Sequence, residues 1–174
     1  MKQQRIVEAA KSILLREGLS GWTVERVARE AGCAKGLVHY HFHSKWELLA
    51  LVASNLRRER IERRAAAFRR QGAAALDALW EVLLAEVETG ECAAWLGLVT
   101  LSDPLVRDAL PPTGDDLRSL AAEVASALGV SGPPLETMRV VMASLDGIQV
   151  PLLLGDSPTV VREMYDRFWL AVLT

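Results

Sequence analysis

Ile6, Ala9, Ala10, Ile13 and Leu14 recur at steps of three and four, and the same spacing returns along most of the chain. That period places apolar side chains on one face of an α-helix, whereas the alternation a half-buried strand requires is scarce. With 51% hydrophobic and 24% charged residues over 174 positions, the chain has enough apolar surface to close a core by packing such stripes together. The expected fold class is all-α.

The punctuation predicts where the helices begin and end. A first helix runs from Lys2 to about Glu17, with Gly18 where a C-terminus wants a left-handed residue. Thr23 caps a second, short helix whose inward face is Val24, Val27, Ala28 and Ala31. After the turn Gly32-Cys33-Ala34, a third short helix spans Lys35 to about His41. Ser44 and Glu47 form a capping box that opens a fourth helix, expected to reach Arg70 with Arg57, Arg58, Arg60, Arg63 and Arg64 facing solvent. Further helices are expected near 74–89, 92–102, 103–109, 115–128, 135–154 and 158–173, separated by the breakers Pro111-Pro112-Thr113-Gly114 and Ser131-Gly132-Pro133-Pro134.

Charge is divided as sharply as structure. Residues 1–70 carry 15 Lys and Arg against 7 Asp and Glu, and the remainder carries 5 against 15. A cationic head that meets a polyanion and an acidic body with another task follow from that division. Two short helices joined by a tight turn and steadied by an amphipathic helix are what a helix-turn-helix needs, the second short helix entering the DNA major groove. Thr23 and Lys45 stand at the starts of helices, where free amides favour phosphate. On the reading helix Gly36 permits close approach, Leu37 offers a methyl contact, and Lys35, His39, Tyr40 and His41 offer donors. The expected DNA-binding set is therefore Thr23, Lys35, Gly36, Leu37, His39, Tyr40, His41 and Lys45, with Phe42 turned into the core.

At Ile6-Val-Glu-Ala-Ala10, Thr23-Val-Glu-Arg-Val-Ala-Arg-Glu-Ala-Gly32, Lys35-Gly-Leu37 and Tyr40-His-Phe-His-Ser-Lys45 followed by Glu47-Leu-Leu49, the chain resembles the TetR family of one-component transcriptional regulators. The resemblance covers about the first 50 residues. It departs from the family's Leu-Tyr-x-x-Phe pattern, since the chain reads Val38-His39-Tyr40-His41-Phe42. It implies a homodimer with a three-helix helix-turn-helix domain at residues 1–46 and a helical ligand-binding and dimerisation domain at 47–174. It also implies a cytoplasmic protein, associated with the nucleoid when bound to double-stranded DNA, acting most often as a repressor released from a palindromic operator by a small molecule.

The rest of the chain supplies expectations for both tasks of the second domain. Trp80, Leu84, Trp95, Leu98, Val99, Met142, Leu145 and Gln149 are candidates to line a largely apolar effector cavity, with Glu86, Asp103 and Asp146 as possible polar partners. The last two helices carry Val141, Leu145, Ile148 and Leu152 on one, and Val161, Met164, Phe168 and Val172 on the other. So much apolar surface needs cover, and a two-fold four-helix interface would provide it.

Other classes fare worse. An enzyme such as a small hydrolase or transferase has no G-x-S-x-G, phosphate-cradling glycine loop or H-E-x-x-H to rest on. A metal- or redox-responsive sensor would use Cys33, Cys92 and the three histidines. On a helix, however, positions 39 and 43 share a face that 41 does not. The two cysteines read as reduced thiols. No cofactor, metal or membrane span is expected, the apolar run from Val140 to Leu154 being short and broken.

Overall fold

The structure, a computed structural model, describes residues 2–173. Ten helices account for these residues: α1 (Lys2–Glu17), α2 (Val24–Glu30), α3 (Lys35–His41), α4 (Lys45–Ala67), α5 (Ala73–Glu88), α6 (Glu91–Val99), α7 (Pro104–Ala109), α8 (Gly114–Leu128), α9 (Leu135–Leu153) and α10 (Pro158–Leu173). The all-α expectation holds, with most helix ends within a residue or two of the sequence reading. The fourth helix stops at Ala67, three residues early. Among the described residues no helix is long and apolar enough to cross a membrane.

The chain packs as two compact units that do not divide at 46/47. One gathers the residues up to Arg57 with Thr89–Pro111, the other Arg58–Glu88 with the residues from Pro112 onward. The reason lies in α4 and α6. Leu48, Leu49, Val52, Ala53 and Leu56 complete the core that α1 begins with Ile6, Ala10, Ile13 and Leu14, and Ala94, Trp95 and Leu98 of α6 close it.

Local chemistry fixes the first unit. Gly18 takes φ +66° to end α1, and its amide donates to the Leu14 carbonyl at 3.0 Å. The Trp22 indole N–H donates to the Ala10 carbonyl at 3.0 Å, pinning the loop before α2 onto α1. Gly90, at φ +78°, sits where an added Cβ would meet the Leu15 carbonyl oxygen at 2.3 Å, so only glycine fits that turn against α1.

The second unit is built by α5, α8, α9 and α10 with the last part of α4. Its apolar core contains Leu79, Leu83, Leu117, Leu120, Val124, Met138, Val141, Leu145 and Val161. Phe68, Trp80, Tyr165 and Trp169 form a chain of edge and tilted ring contacts through it, and the Tyr165 hydroxyl donates to the Leu76 carbonyl at 2.7 Å.

Candidate nucleic-acid interface

The geometry of α2 and α3 follows from their caps. Thr23 has extended backbone (φ −138°, ψ 154°), and its Oγ1 accepts from the Arg26 amide at 3.2 Å. The turn is closed by the Cys33 amide donating to the Ala28 carbonyl at 2.9 Å, with Gly32 at φ +63°. Arg5 reaches from α1 to donate to the Ala31 carbonyl at 2.9 Å, tying the turn to the supporting helix. Val38 and Phe42 of the α3 segment are 2% and 3% exposed and anchor it in the first unit's core.

With the inner face so fixed, the outer face of α3 is set by the helical period. Lys35, Gly36, His39 and Tyr40 are exposed, while Leu37 and His41 are half-buried. Tyr40 is 78% exposed, and its ring meets that of His41 edge-on at 5.3 Å. A tyrosine so far out of the core, between two histidines in sequence, has no core-packing role to explain it. Gly36 likewise has no internal reason to be glycine: an added Cβ would meet nothing within 4 Å, and its φ is not positive. Lys35 is ion-paired with Glu25 of α2.

At the start of α4 the Glu47 amide donates to Ser44 Oγ at 3.1 Å, as a capping box requires. The return bond differs from expectation: the Glu47 carboxylate accepts from the His43 amide at 2.9 Å instead of that of Ser44, and lies 3.2 Å from His43 Nδ1. His43 is thereby engaged at the cap, away from any convergence with the other histidines. Among the described residues no three His, Cys, Asp or Glu side chains gather in a group that would hold a metal ion. Lys45 lies with Nζ 4.1 Å from the centroid of the Trp46 ring, a half-buried platform that sequence reasoning passed over.

The basic run on α4 is the clearest correction. Arg60 and Arg64, expected in solvent, are 3% and 1% exposed. Arg64 donates to Glu86 (Nη2–Oε2 2.8 Å, Nε–Oε1 3.2 Å) and to Asp146 Oδ1 at 2.7 Å; Arg60 donates to the same Glu86 and Asp146, each at 3.0 Å. Gln149 accepts from both arginines at 3.2 Å and donates to Glu86 Oε2 at 3.0 Å and to the Leu83 carbonyl at 2.9 Å. Burial alone would push the Glu86 carboxyl up, but the guanidiniums of Arg64 and Arg60 outweigh it and hold the group below its ordinary value. Positions 49, 53, 56, 60, 64 and 67 continue one stripe at steps of three and four, the signal that places both arginines inward. Arg57 is half-buried in the first unit, donating to the carbonyls of Ala109 at 2.8 Å and Pro111 at 3.3 Å. Arg58 stays exposed, and Arg63 pairs with Glu59 at 3.9 Å.

The effector candidates distribute unevenly. Trp80, Leu84, Met142, Leu145 and Gln149 belong to the second unit, where Met142 Sδ lies 3.9 Å from Arg64 Nη1. Trp95 and Leu98 are core residues of the first unit, Val99 is 53% exposed, and Asp103 is spent capping α7 through the amides of Leu105 and Val106.

The interface candidates also separate. Val141, Leu145, Ile148 and Val161 are covered by the chain itself, at 8% exposure or less. Leu152 and Phe168 are half-buried, whereas Met164 and Val172 are exposed, along with Val140, Leu154, Val160 and Leu170. The densest apolar stripe of each helix faces its own core, and a second, thinner one faces outward.

Residues 6–52 match the family described as bacterial regulatory proteins, tetR family. Over 53 residues the chain is 38% identical to the HTH-type transcriptional regulator SrpR of Pseudomonas putida, a match spanning 30% of this chain and only a quarter (25%) of that protein. Along nearly the whole chain the fold is similar to that of the multidrug binding protein EbrR complexed with imidazole, with 25% identity, TM-score 0.67 and 96% and 94% of the two chains covered. A TetR-family transcriptional regulator from Streptomyces coelicolor shares the fold at 18% identity and TM-score 0.67, over 99% and 98%. The capped α2–turn–α3 unit and the sequence match that covers it agree: residues 6–52 carry the helix-turn-helix segment of the bacterial regulatory proteins of the tetR family, and the chain as a whole shares the all-helical fold of such regulators.

Proposed function

We propose that the protein is a homodimeric DNA-binding transcriptional regulator, a repressor that a small-molecule effector releases from a palindromic operator. The observation that carries the reading is the outward set Gly36, His39 and Tyr40, with Lys35 exposed beside them and ion-paired to Glu25, on a helical segment whose opposite side, Val38 and Phe42, is locked into the core. Exposed donors and a bare backbone on a rigid helix suit insertion into a major groove, with Leu37 and His41 at its margins. Thr23 at the start of α2 and Lys45 at the start of α4 provide the flanking phosphate contacts, the lysine held up by the Trp46 ring.

Dimerisation in this reading uses outward apolar side chains of α9 and α10: Val140 on the first with Leu154 at its C-cap, and Val160, Met164 and Leu170 on the second. Isologous pairing of such surfaces gives two reading helices related by a two-fold axis, and hence a palindromic site. For the effector, the similarity to a multidrug binding protein supports a small organic ligand. Trp80, Leu84, Met142 and Leu145 offer apolar walls, with Gln149 among the polar groups at the centre of the second unit. Ligand binding there acts on transcription only to the extent that it distinguishes DNA-bound from free protein, typically about 1–3 kcal/mol.

Selection of bound sequences from a random duplex library tests the reading. The expected result is an inverted repeat with half-sites about one helical turn or slightly more apart, roughly 34–36 Å. Enrichment of a single asymmetric site, or none, would contradict it.

A further inference from the structure

We propose that Glu25 is a specificity-determining residue that withholds Lys35 from DNA phosphates. The inference rests on the DNA-binding reading above and deepens it by assigning a role to the carboxylate paired with the reading helix's first cation.

Lys35 is the first residue of α3, and its ammonium is ion-paired with the carboxylate of Glu25, the second residue of α2. The pair bridges the two short helices on the solvent side, with side chains 51% and 56% exposed, so it has no buried role in stability. Glu25 is well held on its own side: it occupies the first turn of α2, where helix amides and macrodipole favour an acid. Its carboxyl lies below its ordinary value, chiefly through the bond from Lys35, then through a backbone hydrogen bond within Glu25 itself, with the nearby charge of His39 adding to the effect. The carboxylate therefore faces Lys35, one of the side chains expected to meet DNA.

The consequence is electrostatic. Non-specific affinity comes from cations that displace counterions at phosphates, so each lysine that engages a phosphate steepens the dependence on salt by about one. A lysine already paired with a carboxylate releases no counterion unless it leaves its partner. Glu25 thus lowers attraction to any duplex while leaving the uncharged donors of α3 free to read bases, which widens the gap between specific and non-specific binding.

The test is a salt titration of binding to a random-sequence 30-bp duplex, followed by fluorescence anisotropy, for wild type, Glu25→Gln, Lys35→Gln and the double variant. The expected result is that Glu25→Gln steepens the salt slope by about one per DNA-binding head and tightens binding roughly two- to five-fold at low salt. In the Lys35→Gln background the same change leaves the slope where it was, since no cation is freed. An unchanged slope in the wild-type background, or an equal change in both backgrounds, overturns the role given to Glu25. Absence of salt-sensitive binding by wild type would instead count against the DNA-binding reading itself. Matching circular dichroism melts for the four proteins exclude unfolding as the cause.

Discussion

Arg64 grips Glu86 through two nitrogens, at 2.8 and 3.2 Å, where neither side chain exceeds 1% exposure. Around that pair Arg60, Asp146 and Gln149 complete a polar network inside a unit otherwise packed from leucine, valine and aromatic rings. Breaking a buried pair strands a charge, so Glu86→Ala should cost about 3–5 kcal/mol in urea unfolding. Replacing Arg60, Arg64, Glu86 and Asp146 together by apolar residues of similar size should cost far less, because no orphaned charge remains. Equal losses for the two variants would show that packing, not charge, dominates there.

The same network sets a pH dependence. The folded state lowers the Glu86 carboxyl below its ordinary value of 4.5, so this group contributes stability above that value and loses it as pH falls through the lowered one. Unfolding free energy measured from pH 6 downward should therefore decline below about 4.5 in wild type. In Glu86→Gln, less stable throughout, the decline should be shallower. Parallel curves would mean that Glu86 titrates alike in folded and unfolded chains.

Gly36 separates stability from recognition. Glycine within a helix costs about 0.5–1 kcal/mol relative to alanine, and a Cβ here would touch nothing in the chain. Gly36→Ala should raise stability by about that amount while weakening binding to the selected operator, because the added methyl stands where the duplex approaches. Full operator affinity in a stabilised variant would remove Gly36 from the interface.

The outward stripes of α9 and α10 make a claim about assembly. Met164→Asp with Leu170→Asp places charges on surface that is already exposed, so the folded protomer should melt normally. Sedimentation should show a dimer for wild type and a monomer for the double variant, with operator affinity falling in step. A variant that still sediments as wild type would place the interface elsewhere.

How much of this was legible in the sequence depended on whether neighbours in sequence decided the outcome. The α2–turn–α3 unit is built from local signals, the Thr23 cap, Gly32 and the 3–4 spacing, and it appears where those signals put it. Arg60 and Arg64 defeated a reading based on residue type, since whether an arginine lies in solvent or in a core depends on Glu86, Asp146 and Gln149, at sequence separations of up to 89 residues. Val141, Leu145 and Val161 misled for a related reason: a thick apolar stripe announces burial without saying whether the same chain or a second copy provides it. The pairing of Glu25 with Lys35 was not legible because the two lie on either side of the turn, ten residues apart.

The most direct test of the central claim is a salt titration of wild type and Lys45→Ala on one duplex carrying the selected inverted repeat and one of scrambled sequence. The account predicts affinity that falls linearly on logarithmic axes with salt for wild type, and a variant weakened on both duplexes alike with its slope reduced by about one per head. Binding by wild type that is indifferent to salt, or that does not distinguish the two duplexes, would contradict it.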